Sequence, residues 1–134
     1  MTREAINPAD MYDSVSYGFS HAIAHTGRRT IECAGQVAWD DNGDLVGIGD
    51  LAAQTAQVFS NLRRVLAHAG ASPADVVRMR TYVVDHTPDK LGVIGPAIGE
   101  FFGDVTPSSN TLIGVQTLAL PDFLIEVEVT AVVD

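Results

Sequence analysis

One cysteine, one tryptophan and eight basic residues are all that the 134 residues of this chain contain of those types. No apolar run approaches the roughly 18 residues of a membrane-spanning helix. A lone Cys33 cannot close an internal disulfide, and its neighbours Ile31 and Ala34 make it a buried structural thiol. Eight Lys and Arg against 17 Asp and Glu leave a net charge of −9. So few scattered cations cannot neutralise a run of phosphates, which disfavours nucleic acid and anionic membrane as partners. Behind Met1-Thr2-Arg3-Glu4 there is no apolar leader, and with an unpaired cysteine the expected compartment is the cytoplasm. Metal-ligand spacing is missing as well: His21 and His25 stand four apart in an extended segment and its turn, where ligands do not converge, and His68 and His86 lack partners. The glycines from Gly43 to Gly49 come without the Lys of a phosphate loop, so neither metal nor cofactor is expected.

What is present is an ordinary core: 46% of residues are apolar. A 14.2 kDa chain exposes about 20,000 Å² unfolded and about 7,000 Å² folded, enough burial for one domain. With no repeat, linker or low-complexity tract, residues 1–134 read as a single domain.

Tyr17, Phe19, His21 and Ile23 alternate with small residues and predict a strand; Thr26 to Arg29 turns the chain, and Thr30 to Gln36 predicts a second strand in a hairpin with the first. Asp40-Asp41-Asn42-Gly43 is a turn. Asp50 caps a helix whose buried face carries Thr55, Val58, Phe59, Leu62, Val65, Leu66 and Ala69, and Gly70 stops it. Val76 to Asp85 alternates as a strand. Thr87-Pro88 opens a second helix running to Phe101 and Phe102, with a kink or break expected near Ile94 because Pro96 removes a backbone donor. Thr111 to Leu118 and Leu124 to Val133 are extended, with Glu126 and Glu128 on the face away from the helices.

This order implies an α+β sandwich, two helices on one face of a mixed sheet. The other face, assigned Tyr17, Phe19, His21, Arg80, Tyr82 and Leu124, is too apolar for water alone and implies a homo-oligomer. Polar residues gather at strand ends and turns: Ser20, His21, Gln36, the stretch from Thr106 to Thr111, and Glu126. Such places are where sites are built, although these residues alone name no reaction.

Taken together, Tyr17-Gly18-Phe19-Ser20-His21-Ala22, Ala34-Gly35-Gln36, the helix from Gln54 to Gly70, Thr81 to Asp85, Phe101-Phe102-Gly103, Pro107 to Val115 and Ile125 to Glu128 resemble the Rid, or YjgF-like, family of enamine and imine deaminases. The resemblance spans Tyr17 to Val133. It implies a chorismate-mutase-like fold assembled as a homotrimer, with a small-molecule ligand in each intersubunit cleft. Its catalytic carboxylate falls on Glu126, and the Arg that forks onto a substrate carboxylate falls on Asn110, which is neutral and cannot form that contact. Phe19 stands where a site Tyr is common, and Gly95 where an Asn is frequent. The resemblance therefore implies a cleft of Phe19, Ser20, Gly35, Ser109, Asn110 and Thr111, with Phe101 or Phe102 as further walls. Two functions follow: hydrolysis of an enamine, imine or amino-dienoate other than 2-iminopropanoate, or a trimeric ligand-binding or interaction module that has lost the chemistry. A ribonuclease role, assigned to some relatives, is opposed by the charge.

Overall fold

In the computed structural model, which describes residues 1–134, six strands and two α-helices follow in the order β1 (Thr2–Ile6), β2 (Ala22–Thr26), β3 (Arg29–Gln36), α1 (Leu51–His68), β4 (Val76–Val84), α2 (Leu91–Phe102), β5 (Ser109–Val115) and β6 (Ile125–Val133). β3, β6, β4 and β5 form a four-stranded mixed sheet in that order; β6 is antiparallel to both its neighbours, and β4 and β5 are parallel. α2 lies within the connection from β4 to β5, as a parallel pair requires.

α1 starts where the Asp50 carboxylate accepts a hydrogen bond from the Ala53 amide, and it ends before Gly70, which takes the left-handed conformation at φ +78°. Between these signals Val58, Phe59, Leu62 and Leu66 are buried at helical spacing, whereas Val65 remains partly exposed. They meet Met79 and Val83 of β4 and Ile125, Val127, Val129 and Ala131 of β6, with Ile94, Ile98, Phe101 and Phe102 from α2, in one apolar cluster. Each such fully buried side chain is worth about 1.5 to 3 kcal/mol of transfer free energy. Period-two alternation in β4 and β6 sends Arg80, Tyr82, Glu126 and Glu128 to the opposite face.

One buried polar residue is essential to this arrangement. The Gln54 side chain is fully buried; its amide nitrogen donates to the carbonyls of Gly47 and Asp122, and its oxygen accepts from the Leu124 amide. The side chain thereby ties α1 to the loop before it and to the segment entering β6.

Several expectations are corrected. Tyr17 lies in a short helical turn, Val15–Tyr17, and Gly18 follows at φ +91°, so the alternating residues from Tyr17 to His21 belong to no strand. β2 begins only at Ala22 and pairs with β1, a strand that the residue pattern did not reveal, while β3 pairs with β6; the hairpin does not form. β1 was hidden because its partner β2 is itself largely exposed, and Thr2 to Ile6 carries no apolar stripe. α2 is continuous through Pro96. The missing donor removes one backbone bond, and burial of Ile94 and Ile98 on either side of Pro96 holds the helix together. The open sheet face carries Arg78, Arg80, Glu126 and Glu128 beside Tyr82 and the exposed Ile113, and Tyr17, Phe19 and His21 are not on it; exposed Met11, Tyr12, Val15 and Tyr17 lie in the loop before β2.

Candidate functional site

β5 is the last strand of the four-stranded sheet, and its free side opens into a cleft of about 690 Å³ lined by Tyr12, Tyr17, Phe19, Leu91, Ile94, Gly95, Ile98, Asn110, Thr111 and Leu112. No charged side chain lines it. Tyr12, Phe19 and His21 pack edge to face, with Tyr12 and His21 centroids 4.7 Å apart, and form one aromatic wall. Ser20 holds this wall against the sheet: its hydroxyl donates to the Pro107 carbonyl at 2.5 Å and accepts from the Asn7 amide, while its own amide donates to the Ser108 carbonyl. The hydroxyl is thus committed to the fold. Phe101 and Phe102 are buried in the core and form no part of the cleft.

Alternation along β5 divides its polar residues. Asn110 is paired with Met79 and faces the helices, where its side-chain oxygen accepts from the Thr81 hydroxyl at 3.3 Å. That contact orients the amide and leaves its NH₂ as the free donor. Ser109 and Thr111 are paired with Arg78 and Arg80 and share their face, the open one. Ser109 donates to the Val77 carbonyl, and the Thr111 hydroxyl accepts from Arg78 at 2.8 Å.

Glu126 belongs to a second group on that open face. Between Cys33 and Gln36 the pairing of β3 with β6 slips, and Gly35 there lies directly beneath the Glu126 side chain: a β-carbon built on Gly35 would stand 2.1 Å from Oε2. Only a glycine admits the carboxylate in this position. Burial, and then the neighbouring charge of Glu128, raises the Glu126 carboxyl above its ordinary value. Tyr82, opposite Glu126 on β4, donates its hydroxyl to Glu128 at 2.5 Å; that bond is the main cause of the raised phenol pKa, with desolvation second. Arg80 approaches Glu128 at 4.0 Å. A carboxyl partly withdrawn from water, fixed on a rigid strand and with its pKa raised is suited to exchange a proton as a general acid or base.

The two groups do not meet within one chain. Asn110 and Glu126 face opposite sides of the sheet. On the open face, Thr111 and Glu126 are separated by two strand spacings and two residues of register, about 12 Å in all. The expected residues thus fall into two separate groups: Phe19, Asn110 and Thr111, supported by Ser20 and Ser109, at the β5 cleft, and Gly35 with Glu126 across β3 and β6. Arg78, Tyr82 and Glu128 escaped the candidate set, although the alternation of β4 and β6 already placed them on the same face as Glu126.

The model of the family described as Endoribonuclease L-PSP matches residues 13–133. A RutC family protein of Pyrococcus abyssi is 35% identical over 100 residues, covering 73% of this chain and 74% of that protein. The 3-aminoacrylate deaminase RutC of Acinetobacter baylyi is 33% identical over 95 residues, 70% of this chain and 71% of its own. Among solved structures, a Rid-family protein of unknown function from Yersinia pestis shares 56% identity over 99% of this chain and 100% of that one, with a TM-score of 0.97. A YjgF-family member from Mycobacterium tuberculosis shares 29% identity over 98% and 100% of the two chains, with a TM-score of 0.65. The fold is the chorismate-mutase-like α+β sandwich that these proteins have in common.

Proposed function

This chain belongs to the Rid (YjgF-like) family, and from that premise we propose that it is a cytoplasmic, homotrimeric hydrolase that deaminates an enamine, imine or amino-dienoate other than 2-iminopropanoate. The observation that carries the reading is the Glu126 carboxyl, seated on Gly35 with its pKa raised, on the same face as Thr111 but beyond its reach in one chain. A second subunit brings the β5 cleft of one chain to Glu126 of another, as the closed symmetry of a trimer does three times over. The similarity to a 3-aminoacrylate deaminase supports the reaction class.

In the completed cleft the substrate lies against Phe19, and the free amide NH₂ of Asn110 donates to its polar end. Glu126 takes a proton from water as the oxygen attacks the imine carbon. It delivers that proton to nitrogen, giving a carbinolamine, and then takes the hydroxyl proton and passes it to the amine, so that the C–N bond breaks as C=O forms and ammonia leaves. Atoms balance as imine plus water giving carbonyl plus ammonia, with no redox partner. Asn110 carries no charge, which removes the cleft's own means of gripping a short α-imino carboxylate and argues for a different or longer substrate.

The test is ammonia release from freshly generated imines, enamines and amino-dienoates. Turnover by the wild type and loss of it in Glu126→Gln supports deamination. Ligand binding with no turnover by any member of the panel assigns the chain instead to the binding-module reading, in which the fold has outlived the chemistry.

A further inference from the structure

Resting on the deaminase reading, we infer that Arg78 is the anion-recognising residue of the site, the group that takes a substrate carboxylate at the rim of the cleft. The cleft has no charged lining residue, so a charged substrate end must be recognised at its rim. Arg78 is the cation placed there. Its guanidinium donates to the hydroxyl of Thr111, a cleft-lining residue, at 2.8 Å. Arg80, the next cation on the same face, stands instead 4.0 Å from Glu128, while Arg78 has no carboxylate within salt-bridge distance.

A guanidinium has five N–H donors in a planar fork. The bond to Thr111 uses one edge and holds the group steady, leaving other donors for a carboxylate in the bidentate manner that Arg favours. The Thr111 hydroxyl, acting as acceptor toward Arg78, keeps its own proton to donate to the same ligand. In a chain of net charge −9, an unpaired and half-buried guanidinium on a face that carries Glu126, Glu128 and Glu32 is a local exception.

The experiment measures binding, by calorimetry on the intact oligomer, of sorbate, a stable dienoate, against its neutral amide sorbamide. The wild type is expected to favour sorbate by about tenfold or more, the worth of a charged hydrogen-bonded pair. Arg78→Gln removes the preference, Arg78→Lys restores it in part, and Arg28→Gln, the same charge lost from a remote turn, leaves it intact. Equal binding of sorbate and sorbamide by the wild type overturns the inference, as does a preference that survives in a folded Arg78→Gln protein. Binding is read without turnover. A charge preference that depends on Arg78 in a protein releasing no ammonia would therefore sink the deaminase reading and spare this one, and deamination insensitive to Arg78 would do the reverse.

Discussion

Replacing Gly35 by alanine separates the site from the fold. The added β-carbon would stand 2.1 Å from Oε2 of Glu126, 2.8 Å from Cδ and 2.9 Å from Cγ, all below any tolerable contact. Everything it meets belongs to one flexible side chain, so Glu126 swings aside and the backbone stays in place. Gly35 does not adopt a positive φ, and alanine in a strand gains about 0.5 to 1 kcal/mol over glycine through the unfolded chain. Melting temperature should therefore hold or rise slightly. Activity should not: a carboxyl moved by an ångström or more from its working position costs on the order of 10²-fold in rate. Ammonia release measured beside thermal melting gives both numbers from one preparation. Unchanged kcat/KM in Gly35→Ala would refute the placement of Glu126, and a melting temperature lowered by several degrees would show that Gly35 serves the fold instead.

Because burial and Glu128 raise the Glu126 pKa, kcat/KM should fall on the acid side with a midpoint above that of an ordinary glutamate, and Glu128→Gln should move the midpoint down. The same shift has a stability consequence: an acid whose folded pKa exceeds its unfolded value stabilises the fold below the unfolded pKa, and that contribution is lost as pH rises through the folded pKa. Glu126→Gln is accordingly expected to abolish turnover while raising the melting temperature at pH 7, a gain that disappears when melting is repeated below pH 4 or so. Gln54→Leu strands the Leu124 amide and the carbonyls of Gly47 and Asp122, which at about 1 kcal/mol for each lost bond lowers stability by about 3 kcal/mol in urea unfolding; a loss below about 1 kcal/mol would contradict that network. Ser20→Ala removes the hydroxyl bond to Pro107 and the acceptor for Asn7, and at about 1 kcal/mol for each should lower stability by about 2 kcal/mol in the same assay.

The fold could be read from the chain wherever burial imposes a period. α1, β4 and β6 each bury one face against the shared cluster, so their alternation appears in residue type, and the two-helix mixed sheet follows from their order. β1 and β2 escape because they pair chiefly with each other, with little buried surface to impose a pattern. The regular spacing of Tyr17, Phe19 and His21 misleads for a different reason: Tyr17 is exposed in a helical turn closed by Gly18, while Phe19 and His21 pack on each other and on Tyr12. At the site, the residue types of Glu126 and Gly35 were informative, but the contact between them depends on the slipped β3–β6 register, which residue spacing does not carry. Asn110 and Thr111 are adjacent in sequence and face opposite sides of the sheet, and only the pairing of β5 with β4 decides which of them shares a face with Glu126.

The central claim is that each site is assembled from the β5 cleft of one subunit and Glu126 of another. It is tested most directly by mixing two inactive variants. Glu126→Gln lacks the proton-transfer group, and Gly95→Trp fills the cleft from a helix position with open space around its missing β-carbon. After unfolding and reassembly together in equal amounts, random mixing in a trimer gives about a quarter of the sites one intact half from each variant. The account predicts ammonia release at about that fraction of the wild-type rate from a mixture whose parent proteins are each inactive. Mixed oligomers, verified by native mass spectrometry, that remain as inactive as their parents would contradict it.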